Sequence, residues 1–137
     1  METQENKTRK AYRQGELLFV PLSPGDLKTL GFDSKDRLYP SWRELSTNVI
    51  REGEATGHKH EVIEQTAGTA TMLTPARRFM PGLPDMDAVG EEDRLLTVEQ
   101  PVEVVHPEHR PINLTIGIYL IIIQREYDEV KSRRIMD

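Results

Sequence analysis

Cysteine is absent from this chain of 137 residues, and its absence excludes several kinds of chemistry. Without thiols there is no disulfide, no thiolate zinc knuckle and no cysteine nucleophile. Any bound metal would therefore need nitrogen and oxygen ligands. The cytoplasm is the default expectation for a chain of this composition.

Long apolar runs and an excess of positive charge are also lacking. The most apolar run, residues 116–123, is far shorter than the ~20 residues that span a bilayer, so no membrane span is expected. A net charge of -5 does not predict a broad nucleic-acid-binding surface. No Walker loop, dinucleotide fingerprint or serine-protease order of catalytic residues is found.

Short segments rich in Val, Ile, Leu and Thr are what the chain does contain, and turn residues separate them. This pattern predicts a single all-β domain, a small barrel or sandwich of about seven strands. The expected strands are residues 16–22, 47–52, 58–65, 69–74, 94–99, 102–106 and 113–124. The last of these alternates apolar side chains on both faces, which predicts a central strand covered on both sides.

The remaining segments complete a domain expected over residues 14–137. Residues 1–13 are polar and predict a flexible N-terminal tail, and residues 75–93, with three prolines and two glycines, predict a long surface loop. Short helices are predicted at residues 41–45, after a capping Ser41, and at residues 126–136, near the C terminus.

All four histidines fall into two pairs, His58 with His60 and His106 with His109. On a strand, His58 and His60 would share a face about 7 Å apart. Pro107 begins a turn that can bring His109 back near His106. If the two pairs meet, they supply three or four nitrogen ligands, which suit zinc first, or nickel, iron or copper, rather than magnesium or calcium.

Three functions are compatible with these histidines. The first is metal binding, with a metal-dependent hydrolase as its catalytic form and Glu64 or Glu108 handling protons. The second is metal-free RNA cleavage, in which two histidines act as base and acid and Lys59, Arg110 or Arg125 stabilises the phosphorane. The third is a non-enzymatic module that binds a protein partner or forms an oligomer, with structural histidines.

Two resemblances accompany these patterns. The segment from His58 to Glu64 resembles the first metal motif of the cupins, which implies a β-barrel metal site, although the second cupin motif is not found. Residues 53–60, 106–112, 117–119 and 124–127 together resemble a small bacterial and phage family of uncharacterised proteins. That likeness implies a grouping and no activity.

Overall fold

The computed structural model describes residues 10–29, 42–53, 57–75 and 90–124. These residues form ten strands and one short helix. In chain order the elements are β1 (Tyr12–Gln14), β2 (Leu17–Pro21), α1 (Pro24–Thr29), β3 (Trp42–Leu45), β4 (Val49–Glu52), β5 (Lys59–Glu64), β6 (Ala70–Pro75), β7 (Arg94–Val98), β8 (Val102–His106), β9 (His109–Leu114) and β10 (Gly117–Ile123). The predicted helix at 126–136 and most of the predicted 75–93 loop lie outside the described residues, as do residues 1–9 of the predicted tail.

The strands form two antiparallel sheets that face each other. The larger sheet has the order β1-β2-β10-β7-β6-β3, and the smaller has the order β4-β5-β8-β9. Neither sheet closes on itself, because β1 and β3 in one sheet, and β4 and β9 in the other, have a sheet neighbour on one side only. The prediction of an all-β fold is therefore confirmed in its sandwich form, and the barrel alternative is wrong.

One apolar core lies between the two sheets. Its buried side chains come from both of them, for example Phe19 and Ile121 from the larger sheet and Val62 and Val104 from the smaller. Burial of such side chains contributes about 1.5–3 kcal/mol each. The core therefore fixes which face of β5 and β8 points inward, and with it the direction of the histidines on those strands.

Strand β10 is central, as predicted, because it pairs with β2 on one side and β7 on the other. Its residues Tyr119, Ile121 and Ile123 join the inter-sheet core, whereas Leu120 and Ile122 pack in a second cluster on the opposite face, with Trp42. Both faces of this strand are thus covered, which explains its apolar sequence.

The predicted strand over residues 113–124 is in fact two strands. Strand β9 ends at Leu114 in the smaller sheet, and β10 begins at Gly117 in the larger one. Thr115 and Ile116, both exposed, carry the chain between the sheets. Apolar alternation continues across this corner, so the pattern alone does not show the break.

Two further differences concern short elements near the larger sheet. Residues 42–45 form strand β3 rather than a helix, because their backbone pairs with β6 and buries Trp42. Strand β1 includes Tyr12 and Arg13, so these two residues are not part of a flexible tail as predicted. With the split of the last strand, these account for ten strands in place of about seven.

Helix α1 begins with a reciprocal cap. The backbone N–H of Asp26 donates to Ser23 Oγ at 3.1 Å, and the N–H of Ser23 donates to Asp26 Oδ2 at 2.9 Å. Within the described segments, no helix has the length and apolar character needed to cross a membrane.

Candidate functional site

Three neighbouring strands of the smaller sheet bring the two histidine pairs together at one end of the sandwich. His60 lies near the start of β5, His106 ends β8 and His109 begins β9. The β5–β8 register pairs Glu61 with Val105, and the β8–β9 register pairs His106 with His109. Since β5, β8 and β9 are adjacent in the sheet, the three imidazoles form a row across it.

We call these four residues the histidine cluster (His58, His60, His106 and His109). The ring of His106 contacts each of the other three rings. Ring centroids are 4.3 Å apart for His60 and His106, 4.6 Å for His106 and His109, and 5.9 Å for His58 and His106. The rings of His60 and His109 are nearly parallel, with centroids 6.1 Å apart. The structure thus brings together all four histidines singled out in the sequence.

Local turn chemistry explains how each pair is presented. Pro107 and Glu108 form the two-residue turn of the β8–β9 hairpin, so His106 and His109 are cross-strand neighbours. Before β5, Gly57 adopts a φ of 72°, in the left-handed region that favours glycine, and His58 follows it directly.

Gln14 holds His60 in one orientation and one tautomer. The buried Gln14 amide nitrogen donates to the carbonyls of Val104 and Arg110, both at 2.9 Å. Because these two acceptors require the NH₂ group, Gln14 Oε1 must face His60 Nδ1, which lies 2.8 Å away. Nδ1 of His60 therefore carries the proton, and Nε2 carries the lone pair.

His106 is held in the opposite tautomer. The backbone N–H of Glu108 donates to His106 Nδ1 at 3.0 Å. A backbone N–H can only donate, so Nδ1 must present its lone pair. In the neutral ring the proton is therefore on Nε2.

Burial and neighbouring positive charge lower the pKa of both rings, which favours their neutral forms. Burial, with repulsion from His106, lowers the pKa of His60 from 6.5 to about 4; His109 and Arg51 act in the same direction and Glu16 opposes them. The pKa of His106 is also lowered, by burial and by His109 and His58, against the attraction of Glu108 and Glu16.

Gly15 packs directly on the ring of His109. A Cβ atom placed on this glycine would lie 2.7 Å from His109 Nε2, and its φ of 57° is also in the left-handed region. The β1–β2 turn of the larger sheet therefore closes over the edge of the smaller sheet at this point, and a side chain at residue 15 would displace the His109 ring.

The two predicted catalytic carboxylates lie in different places. Glu108 Oε1 is 3.4 Å from His58 Nδ1, so this carboxylate borders the histidine cluster. Glu64 lies at the far end of β5 from His60, about 13 Å along the strand. The structure does not bring Glu64 to the cluster.

Glu64 instead organises the turn between β5 and β6. Its carboxylate accepts hydrogen bonds from Asn48 Nδ2 at 3.0 Å and from the backbone N–H of Ala70 at 2.9 Å. Burial alone would raise the pKa of Glu64, but these bonds, with those from the backbone of Thr69 and Gly68, outweigh it and lower the pKa.

Sequence reasoning missed three residues beside the cluster. Gln14 orients His60, and Glu16 forms an ion pair with Arg51, which faces His60 across the β4–β5 register. The partners of Gln14 lie 46 to 96 residues away along the chain, so no local pattern points to them.

The side chains do not form a ready-made metal site. Across residues 10–29, 42–53, 57–75 and 90–124, no three histidine, aspartate or glutamate side chains are arranged to hold a metal ion as they stand. Oriented imidazoles are present, but at least one of the rings would have to move before three nitrogens could share an ion.

A β-sandwich with a histidine cluster at one end thus defines the molecule structurally, and its family follows from comparison. A family model, DUF8820, described as a domain of unknown function, matches residues 13–124. The chain belongs to this family. The region matched by the family model starts just before Gln14 and includes every residue of the histidine cluster. Searches of curated proteins and of solved structures gave no match.

Proposed function

We propose that the histidine cluster binds a divalent transition metal ion. The observation that carries this proposal is the buried Gln14, which holds His60 in the tautomer whose Nε2 carries a lone pair, within a group of contacting imidazoles. Metal-binding histidines are commonly oriented in this way, by a hydrogen bond from the other ring nitrogen.

The electrostatics of the cluster support this proposal. An imidazole must be neutral to bind a metal, and the pKa of His60, lowered to about 4, leaves this ring neutral at physiological pH. Donors that are all nitrogen favour zinc, with nickel, copper or iron as alternatives, over magnesium or calcium.

The ring spacings are compatible with a shared ion. With Zn–N bonds of about 2.1 Å, two imidazoles on a tetrahedral ion have centroids about 5 Å apart. The pair His60 and His109 is at 6.1 Å, and the pair His58 and His106 is at 5.9 Å. Because His109 is exposed and His58 only half-buried, small rotations of these side chains can close the gap.

A metal-dependent hydrolase is the catalytic form of this proposal. An ion held by three histidines keeps a position for water and lowers the pKa of that water. Glu108, beside His58, is the carboxylate suited to take up its proton. We further propose that the protein is of bacterial or phage origin and acts in the cytoplasm.

Metal-free RNA cleavage fits the cluster less well. It requires a general base whose pKa lies near the working pH. His60 presents a lone pair at Nε2, but a pKa of about 4 makes it a weak base at pH 7. The same lowered pKa is an advantage for a metal ligand.

The test is a zinc titration of untagged, chelator-treated protein by calorimetry, together with elemental analysis of the protein as purified. We expect one ion per chain, and a loss of affinity of at least about 100-fold for His60→Ala and His109→Ala. Asn113→Ala, an exposed position on the same strand as His109, is the matched control and should bind as the wild type does. A wild-type protein that binds no metal would refute the proposal.

A further inference from the structure

Two arginines and a threonine lie side by side across three strands of the larger sheet, outside the histidine cluster. The β3–β6 register pairs Arg43 with Thr74. The β6–β7 register pairs Leu73 with Leu95, and both strands continue by one residue in opposite directions. Thr74 and Arg94 are therefore neighbours as well. Together, Arg43, Thr74 and Arg94 form one cross-strand row, which we call the arginine row.

The arginine row faces the space between the two sheets. Arg94 pairs with Ile121 of β10, whose side chain lies in the inter-sheet core. Because residues opposite each other on neighbouring strands point to the same face of a sheet, the whole row points to that side. Thr74, in the middle, is buried, Arg94 is half-buried, and Arg43 is exposed on the outermost strand β3. The row is thus a buried hydroxyl flanked by two guanidinium groups, one of which is open to solvent.

The two arginines have no carboxylate partner within the part of the chain that the structure describes. Arg94 Nη1 donates to the backbone carbonyls of Glu91 and Asp93, at 2.9 and 2.8 Å. These bonds orient the guanidinium group without neutralising it. Neither Arg94 nor Arg43 takes part in the ion pairs formed among the described residues. The positive charge of the row is therefore available to a ligand.

The surroundings concentrate this positive charge. Burial lowers the pKa of Arg94, and the positive charges of Arg43 and Arg51 act in the same direction. The carboxylates of Asp93 and Glu92 oppose this shift, but both are engaged elsewhere. Glu92 Oε1 lies 3.5 Å from Arg51 Nη1, and Asp93 Oδ2 accepts a backbone N–H at 2.8 Å. Like charges held close together on a sheet are destabilising, and a bound anion would remove this repulsion.

We infer that the arginine row binds a phosphate group, contacted by the guanidinium groups of Arg43 and Arg94 and by the hydroxyl of Thr74. Since neighbouring strands are about 4.8 Å apart, the Cα atoms of the two arginines are separated by about 10 Å, which both side chains can bridge to one ligand. The forked donors of arginine match phosphate oxygens in pairs. The tetrahedral oxygens of phosphate can meet two guanidinium groups and one hydroxyl at once, whereas a planar carboxylate suits a single guanidinium group. This inference requires no metal ion and is independent of the proposed function.

The experiment is a titration of full-length, metal-free protein with inorganic phosphate at constant ionic strength, followed by NMR of the arginine side-chain N–H groups. Arg43→Gln and Arg94→Gln should each weaken phosphate binding at least about fivefold, and Arg43→Lys, which keeps the charge without the fork, should recover only part of the loss. Arg110→Gln, which removes an exposed arginine from β9, is the matched control and should bind as the wild type does. Because Arg94 also orders a turn, the exposed Arg43 provides the decisive variants.

Two further probes, phenyl phosphate and acetate, identify the ligand. Phenyl phosphate bound as tightly as inorganic phosphate would support the site and indicate phosphate esters as its ligands, and much weaker binding would support a site for the free ion. Acetate bound as tightly as phosphate would overturn the assignment to phosphate. Equal losses in Arg43→Gln and Arg110→Gln would reveal a general effect of net charge and overturn the site, as would a wild type without saturable phosphate binding.

Discussion

Replacing Gln14 by leucine should destabilise the protein strongly, although the two side chains are similar in size. Gln14 is only 2 % exposed and makes three hydrogen bonds of 2.8 to 2.9 Å, to Val104, Arg110 and His60. Leucine removes all three and leaves their partners facing an apolar group. Each buried polar group left without a partner costs about 1–3 kcal/mol. Because the carbonyls have a second lone pair and the sheet bonds remain, we expect a total of about 3–4 kcal/mol.

The measurement is urea unfolding at pH 7.5 in the presence of a chelator, so that metal binding does not contribute. Gln124→Leu is the matched control, since Oε1 of Gln124 has no hydrogen-bond partner within the part of the chain that the structure describes. This control should cost less than about 1 kcal/mol. Nitrogen NMR of the imidazoles adds a second measurement, because the Nδ1–H tautomer of His60 should be lost in Gln14→Leu only. A Gln14→Leu protein within 1 kcal/mol of the wild type would refute the reasoning.

Three further predictions concern pH, a close contact and a carboxylate. Folded His60 stays neutral down to about pH 4, whereas an unfolded histidine binds a proton near pH 6.5. The unfolded state thus binds more protons than the folded state between these pH values. The free energy of unfolding of the metal-free protein should therefore be highest above pH 6.5 and fall by up to about 3 kcal/mol toward pH 4. Midpoints of urea unfolding that stay constant over this range would contradict the prediction. Gly15→Ala and Gly68→Ala should each cost about 1 kcal/mol in urea unfolding from left-handed backbone strain. Only Gly15→Ala should move the NMR signals of His109 and weaken zinc binding, because a Cβ at Gly68 meets no atom within 4 Å among the described residues. Equal effects of the two variants on zinc affinity would argue against the close contact between Gly15 and His109. Glu64→Ala should lose about 1–2 kcal/mol of stability through its hydrogen bonds while keeping zinc affinity within twofold, and a large loss of zinc affinity would count against its role in the turn.

Much of the smaller sheet could be predicted from sequence because its strands and turns are determined by residues close together in the chain. Apolar alternation and turn residues placed β5 and β8 within a residue or two of their observed bounds. The Pro107 turn predicted that His106 and His109 would approach each other, and the hairpin register pairs these two residues. Such features depend on neighbours in the chain, which the sequence displays directly.

The rest depends on contacts between distant segments. Whether a set of antiparallel strands closes into a barrel is decided by edge pairing, and no local pattern reports it. The break at Thr115 is hidden because both flanking strands carry apolar alternation. Gln14 directly follows the predicted polar tail and lies in no predicted strand, yet its amide meets carbonyls 90 and 96 residues away. Polar residues that join two sheets have no periodicity by which they could be recognised.

The amide of Gln14 makes the first strand part of the histidine site, although that strand carries no histidine. A fragment that began at Leu17 would retain every imidazole and most of the inter-sheet core. It would nevertheless leave the carbonyls of Val104 and Arg110 without this donor, and His60 without its tautomer. The shortest fragment that preserves the orientation of the histidine cluster therefore has to include β1.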